Sequence, residues 1–347
     1  MNNKEKGKKI RSQILTDVLH HPHDIVKHIS NIFSITPQAV YRHLKVLEDE
    51  SKIRTAGRGR GKTYFSGEVR EYRMTFPLNK ELSEDLLWRD YFSFLFDGMK
   101  ESVVDMCQYG FTGMVNNAID HSDGDILHID MSRNKDSVFM IIVDNGEGIF
   151  QRIKRFCKLS DERHAIMELS KGKLTTDPDN HTGEGIFFTS RMFDVFNIES
   201  KGLSFSHDDS LEFDFLMDTN LKVGDIGTVV LMRIALDSTK EIGNVFAQFT
   251  EDIHDDKTSQ FNKTVIPVKL AQYGNEKLVS RSQAKRLLVR VEKFQYVVFD
   301  FEGVSMVGQA FADEIFRVYA NRNKNLLLAP INMNKEVKIM IDRAMGA

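Results

Sequence analysis

In the stretch YGFTGMVNNAIDHS (Tyr109 to Ser122), Phe111, Met114, Val115, Ala118 and Ile119 recur at helical spacing. The period predicts a helix with one apolar edge. Gly113, Asn117, Asp120 and His121 fall on its other side. Asparagine is locally unfavourable in mid-helix because its side chain competes for backbone hydrogen bonds. A glycine one turn earlier costs roughly 1 kcal/mol relative to alanine. A face kept polar at that local cost needs a reason outside the helix. Around it, ELSEDLLWRDYFSFLF predicts a helical lead-in, and ILHIDMSRN, SVFMIIVDNGEGIF and DIGTVVLMRIAL predict strands. From about residue 262 the pattern becomes a strand-helix alternation: KTVIPVKLAQYG, SRSQAKRLLVRVEKF, QYVVFDFEGVSMVG, QAFADEIFRVYANR, NLLLAPIN and NKEVKIMIDRAM. That alternation predicts a small α/β domain.

The N-terminal pattern is different. DIVKHISNIF reads as a short amphipathic helix and SIT as a turn. Thr36 suits an N-cap and Pro37 the first helical position of PQAVYRHLKVLEDE. Val40, Leu44 and Leu47 then face inward, which leaves Gln38, Tyr41, Arg42 and Lys45 outside. KIRTAGRGRGKTYF reads as two short strands around a Gly/Arg tip. Charge sharpens this picture. Residues 1–66 hold 13 Lys+Arg against 6 Asp+Glu, while the remainder holds 34 against 44, within an overall charge of −3. A basic head on an acidic body points to an anionic partner, nucleic acid first. The head resembles a winged helix-turn-helix. The resemblance implies that Gln38, Tyr41, Arg42 and Lys45 enter the major groove and that Arg58, Arg60 and Lys62 touch phosphates or the minor groove. The alternative is a winged domain used for protein contacts, with a solvated basic loop.

At 347 residues the chain predicts two or three domains. It has no apolar run near 18 residues and no signal-peptide pattern. Its two cysteines, Cys107 and Cys157, have no metal-like spacing and suggest no disulfide framework, so a cytoplasmic, membrane-free setting is expected.

Three separated motifs carry the chemistry. A buried strand delivers Asp144 into the glycine-rich turn Asn145-Gly146-Glu147-Gly148, Gly183-Glu184-Gly185 precedes a helix whose amides suit phosphate oxygens, and Gly227-Thr228 opens a later strand. Each alone is common. In this order and spacing, residues from about 85 to 236 resemble the GHKL ATPase superfamily, which takes in gyrase, histidine kinases and MutL-like proteins. The compact anti-sigma-factor kinases and histidine kinases look nearest. The resemblance implies an α/β sandwich with ATP between helices and a lid. Asn117 matches the asparagine that holds Mg²⁺ against the phosphates. Asp144 matches the aspartate that accepts from the adenine amino group, and Gly146 and Gly148 match the turn beneath the nucleotide. Gly183 and Gly185 match the lid glycines, and Thr228 matches the threonine near adenine. HAIMELSKGKLTTDPDNH is expected as the lid, with Lys171 and Lys173 reaching phosphate or, alternatively, serving solvation.

Gly113 departs from the pattern. Hydrolysing members and anti-sigma-factor kinases carry a glutamate there, which polarises the attacking group; histidine kinases manage without it. Either hydrolysis is weak or absent and nucleotide acts as a conformational ligand, or another group substitutes, with Asp120, His121 and Glu147 near in sequence, or Gly113 is an altered residue. The segment VVFDFEGVSMVGQAFADEIF resembles STAS-like domains, the class that includes anti-sigma-factor antagonists. The turn that holds a phosphoacceptor serine in antagonists reads Val307-Gly308-Gln309-Ala310 here, and Ser305 is expected within the strand.

The expected architecture is multidomain α/β: a winged helix over 1–66, a connector over 67–84, a GHKL (Bergerat) α/β sandwich over 85–240 and a small α/β STAS-like domain over 262–347. The expected function is an ATP- and Mg²⁺-responsive, DNA-binding transcriptional regulator acting as a homodimer. The STAS-like domain is expected to serve docking or self-association. The alternatives are a serine or histidine protein kinase or ATPase, and a nucleotide-gated protein-interaction module.

Overall fold

The computed structural model describes residues 3–18, 20–57, 59, 62–174, 183–211, 214–218, 226–250, 261–272 and 276–346. Arg58 and Arg60 lie outside these residues, as does most of the expected lid. The chain divides into two compact units, Met1–Arg73 with Met131–Val138, and Met74–Asp130 with Phe139–Ala347.

The first unit opens with a helix, α1 (Asn3–Asp17), over a stretch that is simply basic in sequence through Arg11. The dense lysines hide its period, but Ile10, Ile14 and Val18 stand four apart and are all buried. Helices α2 (Ile25–Phe33) and α3 (Pro37–Asp49) follow. Ser34 takes the left-handed conformation that closes α2, and the Thr36 side chain accepts from Ala39 N–H at 3.3 Å to open α3. Strands β1 (Ile53–Ala56) and β2 (Thr63–Ser66) pair antiparallel. Ile25, Ile29, Val40, Leu44, Leu47, Ile53 and Tyr64 join the α1 residues in one core.

The main sheet of the molecule has seven strands in the order β3-β4-β5-β9-β6-β7-β8. They are β3 (Arg70–Pro77), β4 (Ile126–Arg133), β5 (Ser137–Asp144), β6 (Val195–Ser200), β7 (Leu203–Asp208), β8 (Phe215–Asp218) and β9 (Thr228–Ala235). Strand β3 occupies the stretch expected as a connector. Its polar composition masks a period-two alternation of exposed and half-covered positions that suits an edge strand. Strand β6 pairs antiparallel with both β7 and β9.

In the second unit, α4 (Glu84–Leu87) continues through a π turn (Trp88–Phe92) and a 3-10 turn (Ser93–Phe96) toward α5 (Glu101–His121). Helix α5 packs on α8 (Gly185–Met192), while α6 (Ile149–Cys157) packs on α7 (Glu162–Lys171). Helix α9 (Ile242–Ala247) lies against α8, where Phe188 meets Phe246 and Phe261 at centroid distances of 4.0 and 4.9 Å.

A three-stranded parallel sheet, β10 (Lys263–Pro267), β11 (Tyr296–Asp300) and β12 (Leu327–Ile331), forms the C-terminal part of the same unit. Parallel strands need crossovers. These are supplied by α10 (Arg281–Leu287) before β11, and before β12 by α11 (Gln309–Asp313), which runs through a π turn into α12 (Ala320–Arg322). Helix α13 (Lys335–Met345) closes the chain on α11. The described molecule is thus a mixed α/β protein with three sheets.

Candidate functional site

Residues 109, 113, 117 and 121 lie one helical turn apart in sequence, and all four line a cavity of about 330 Å³. The opposite edge of α5 is what holds it there: Phe111 and Val115 are buried away from the cavity, while Met114 and Ala118 are buried and also line it. Thus Tyr109, Gly113, Asn117 and His121 form one wall, with Asn116 beside them. The Asn117 amide nitrogen rests on Met114 Sδ at 3.9 Å, which leaves Oδ1 as the end available to a ligand. Asp120 is exposed and is not among the lining residues.

The floor is the end of β5. Asp144 is 7 % exposed. Its Oδ1 accepts from Gly146 N–H at 2.8 Å and Thr228 N–H at 3.2 Å, and its carbonyl accepts from Gly227 N–H at 2.8 Å. Burial raises the Asp144 pKa, and the amides of Gly146 and Thr228 oppose that rise by favouring the anion. The turn is as tight as glycine allows. A Cβ on Gly146 would stand 1.9 Å from the Ser122 carbonyl oxygen, and one on Gly227 would stand 2.2 Å from Asp144 Oδ1. Thr228 Oγ1 accepts from Ile149 N–H at 3.1 Å, so it joins the turn to the start of α6. Gly148 takes φ +93° as the chain enters that helix.

The structure therefore brings Gly113, Asn117, His121, Asp144, Gly183, Gly185 and Thr228 to one cavity. Gly146 and Gly148 shape the turn beneath it. Three expected residues sit elsewhere. Glu147 is bound by Arg155 at 2.6 Å and lies 3.6 Å from Arg152. Lys171 is 1 % exposed, and its Nζ meets Glu168 at 2.6 Å and the Val289 carbonyl at 2.7 Å. Lys173 donates to the Lys293 carbonyl at 3.2 Å and lies over the rings of Phe261 and Phe294. The first half of the expected lid is accordingly a buried helix, α7, in which positions 165–171 are all covered. The charge of Glu168 and Lys171 hides that burial in the sequence.

The lining also includes Arg152, Glu184 and Tyr109, to which the sequence alone assigns no role. Arg152, on α6, pairs with Asp123 at 2.8 Å. Glu184 stands between the two lid glycines as the N-cap residue of α8, and burial raises its pKa against the opposing charge of Lys173. The Tyr109 hydroxyl is pushed up to about 12 by burial, with the charge of Glu184 adding to the shift. Position offered the only signal for Tyr109 and Glu184: one turn before Gly113, and inside the glycine pair.

In the first unit, Gln38, Tyr41, Arg42 and Lys45 are all exposed along α3. Lys62 is partly engaged, 3.4 Å from Glu48 and above the Tyr64 ring. In the C-terminal part, β11 ends at Asp300. Ser305 therefore lies in the loop before α11 and is exposed, not inside the strand as its apolar neighbours suggest.

Among the described residues no group of three or more His, Cys, Asp or Glu side chains could hold a metal. No described helix is long and apolar enough to cross a membrane. No curated protein matches this chain. Residues 283–338 match a family described as a STAS-like domain of unknown function (DUF4325), which covers α10 to the first turn of α13.

Proposed function

We propose that this protein binds ATP in the α5–β5–α8 cavity and uses the bound nucleotide as a conformational ligand that governs DNA binding by its basic N-terminal unit. The observation that carries the reading is Asp144. It is a buried carboxylate at a cavity floor with one oxygen saturated by two amides, beneath a turn too tight for any residue but glycine at 146. Such a group keeps acceptor capacity on its second oxygen and, being anionic, suits an exocyclic amino group better than an anion. At the other end, Gly185 has open space at its α carbon, so backbone at the start of α8 can approach phosphate oxygens, while Gly183 fits closely against the Leu174 backbone.

Mg²⁺ fits this donor set as a partner of the phosphates. The wall offers Asn117 Oδ1, and Mg²⁺ is commonly held by one or two side chains with phosphates and waters completing its shell. When bound, Mg²⁺ would neutralise phosphate charge beside Asn117. The wall at Gly113 carries no side chain to take a proton from water, so turnover is slow or absent on this reading. Calorimetry with Mg-ATP together with phosphate release on one sample tests it. Binding in the micromolar range with turnover far below one per second is expected; failure to bind Mg-ATP overturns it.

The exposed Ser305 favours a second reading, phosphoryl transfer onto the C-terminal part or a partner's equivalent serine. Labelled γ-phosphate retained on the wild-type chain but not on Ser305→Ala would favour it.

A further inference from the structure

Two carboxylates line the cavity among the described residues, Asp144 and Glu184. The first is committed to the amides of Gly146 and Thr228. The Glu184 side chain has no hydrogen bond or ion pair among the described residues, although the charge of Lys173 favours its anion. The acids nearest Gly113 in sequence are otherwise placed: Asp120 is off the cavity, and Glu147 is held by Arg155 and Arg152. Tyr109, Gly113 and Glu184 share the cavity lining, with Tyr109 one turn before Gly113 on α5 and Glu184 at the head of α8, the helix that packs on α5. Opposite the α carbon of Gly113 the wall is open. A Cβ there would meet a single atom within 4 Å, Thr189 Oγ1 at 3.9 Å.

From this arrangement we infer that Glu184 is the proton acceptor for ATP hydrolysis in this chain, serving from α8 the role that Gly113 cannot serve from α5. The inference rests on the ATP-binding reading above. Glu184 takes one proton from a water molecule, and the water oxygen forms a bond to the γ-phosphorus. The bond from that phosphorus to the β,γ-bridging oxygen breaks, its electron pair leaving with ADP, and inorganic phosphate is released; the proton on Glu184 then returns to solvent. Half-burial suits the task, because desolvation makes this carboxylate a stronger base than an exposed one, and no ion pair needs to be broken before it acts. Its position at the mouth of α8 carries a second consequence. An unpaired carboxylate there repels the terminal phosphate, so it weakens ATP relative to ADP.

The test uses the full-length chain, its Glu184→Gln variant and the double variant that adds Gly113→Glu, with phosphate release measured from pH 5 to 9 and ATP and ADP affinities measured by calorimetry. Glu184→Gln is expected to lower turnover by 10²-fold or more, as removal of a general base does in order of magnitude, and to abolish the acid limb of the pH profile. It is also expected to raise the ATP:ADP affinity ratio by about fivefold, the order for removing one unit charge near another in water. Gly113→Glu in the Glu184→Gln background is expected to restore turnover. Wild-type binding with no detectable turnover, or turnover unchanged in Glu184→Gln, overturns the inference and leaves nucleotide binding standing. Absence of ATP binding by the wild type overturns the underlying reading instead.

Discussion

Gly110 and Gly113 stand three residues apart on one helix, and their surroundings give opposite answers about a side chain. At Gly110 a Cβ would come within 2.5 Å of Phe193 Cε2, so the glycine is what lets α5 and the end of α8 approach. Gly113 has nothing closer than Thr189 Oγ1 at 3.9 Å. Gly113→Ala is therefore expected to stabilise the fold by about 0.4–1 kcal/mol, through the unfolded chain's lost freedom. Gly110→Ala is expected to lose on the order of 1–3 kcal/mol to overpacking. Urea unfolding of the two variants checks both signs, and equal effects would mean that Phe193 does not set the approach of α8 to α5. The sequence distinguished these glycines poorly. Gly113 was legible because it interrupts a polar face ending in Asn117 and His121, whereas Gly110 needed Phe193, 83 positions away, to give it meaning. Asp144 was legible for the opposite reason: its partner Gly146 is two residues away and Gly148 four, so the turn is contained in a local motif, although Gly227 and Thr228 join it from more than 80 positions on.

At the scale of elements, α7 is where charge and burial conflict. Lys171 and Glu168 are each 1 % exposed and pair at 2.6 Å. Arg290, held in the left-handed conformation after α10, reaches Glu168 at 3.4 Å, and Thr264 Oγ1 donates to the Lys171 carbonyl at 2.7 Å. A charged MELSKGK reads as solvated loop because no local feature names the partners on β10 and beyond α10. Removing one member of a buried pair typically costs about 3–5 kcal/mol, while replacing both with apolar groups is often neutral. Lys171→Met is accordingly expected to destabilise by that amount, and Lys171→Met with Glu168→Leu to recover most of it. A double variant no better than the single one would show that Arg290 or the backbone bond carries the element. The β7–α8 corner makes a similar case with a pH signature. Burial alone would raise the Asp214 pKa, but Arg191 at 2.8 Å and His207 at 2.6 Å bring it to about 2 from an ordinary 3.8. The folded state thus holds the anion more strongly than the unfolded state. Its contribution is complete above pH 4 or so and is lost as pH falls through about 2; at roughly 1.4 kcal/mol per pH unit it is on the order of 2 kcal/mol. Asp214→Asn is expected to flatten the stability-against-pH curve across that window and to lower stability at pH 7.

Over the whole molecule, the charge asymmetry is the feature that the residue and element scales do not explain. The net +7 of residues 1–66 belongs to a unit whose apolar core is already closed by α1, α2, α3 and the β hairpin, so its exposed cations are not needed to hold the fold. Tyr41, Arg42 and Lys45 are exposed on α3, whose other edge, Val40, Leu44 and Leu47, is fully buried. A duplex bound there would release one counterion for roughly each phosphate neutralised, so log affinity should fall linearly with log salt. Arg42→Ala with Lys45→Ala is expected to reduce that slope by about 2 and to weaken binding across sequences, if both touch phosphate. A nucleotide can change this affinity only by binding one conformation better than another, and the change is reciprocal: DNA must then alter Mg-ATP affinity by the same factor. Measuring each affinity with and without saturating amounts of the other ligand, in Asn117→Ala as well as the wild type, closes that cycle. Equal factors in the wild type that collapse to one in the variant would establish the switch. DNA binding that ignores nucleotide at every salt concentration would reduce the cavity and the basic unit to independent functions of one chain.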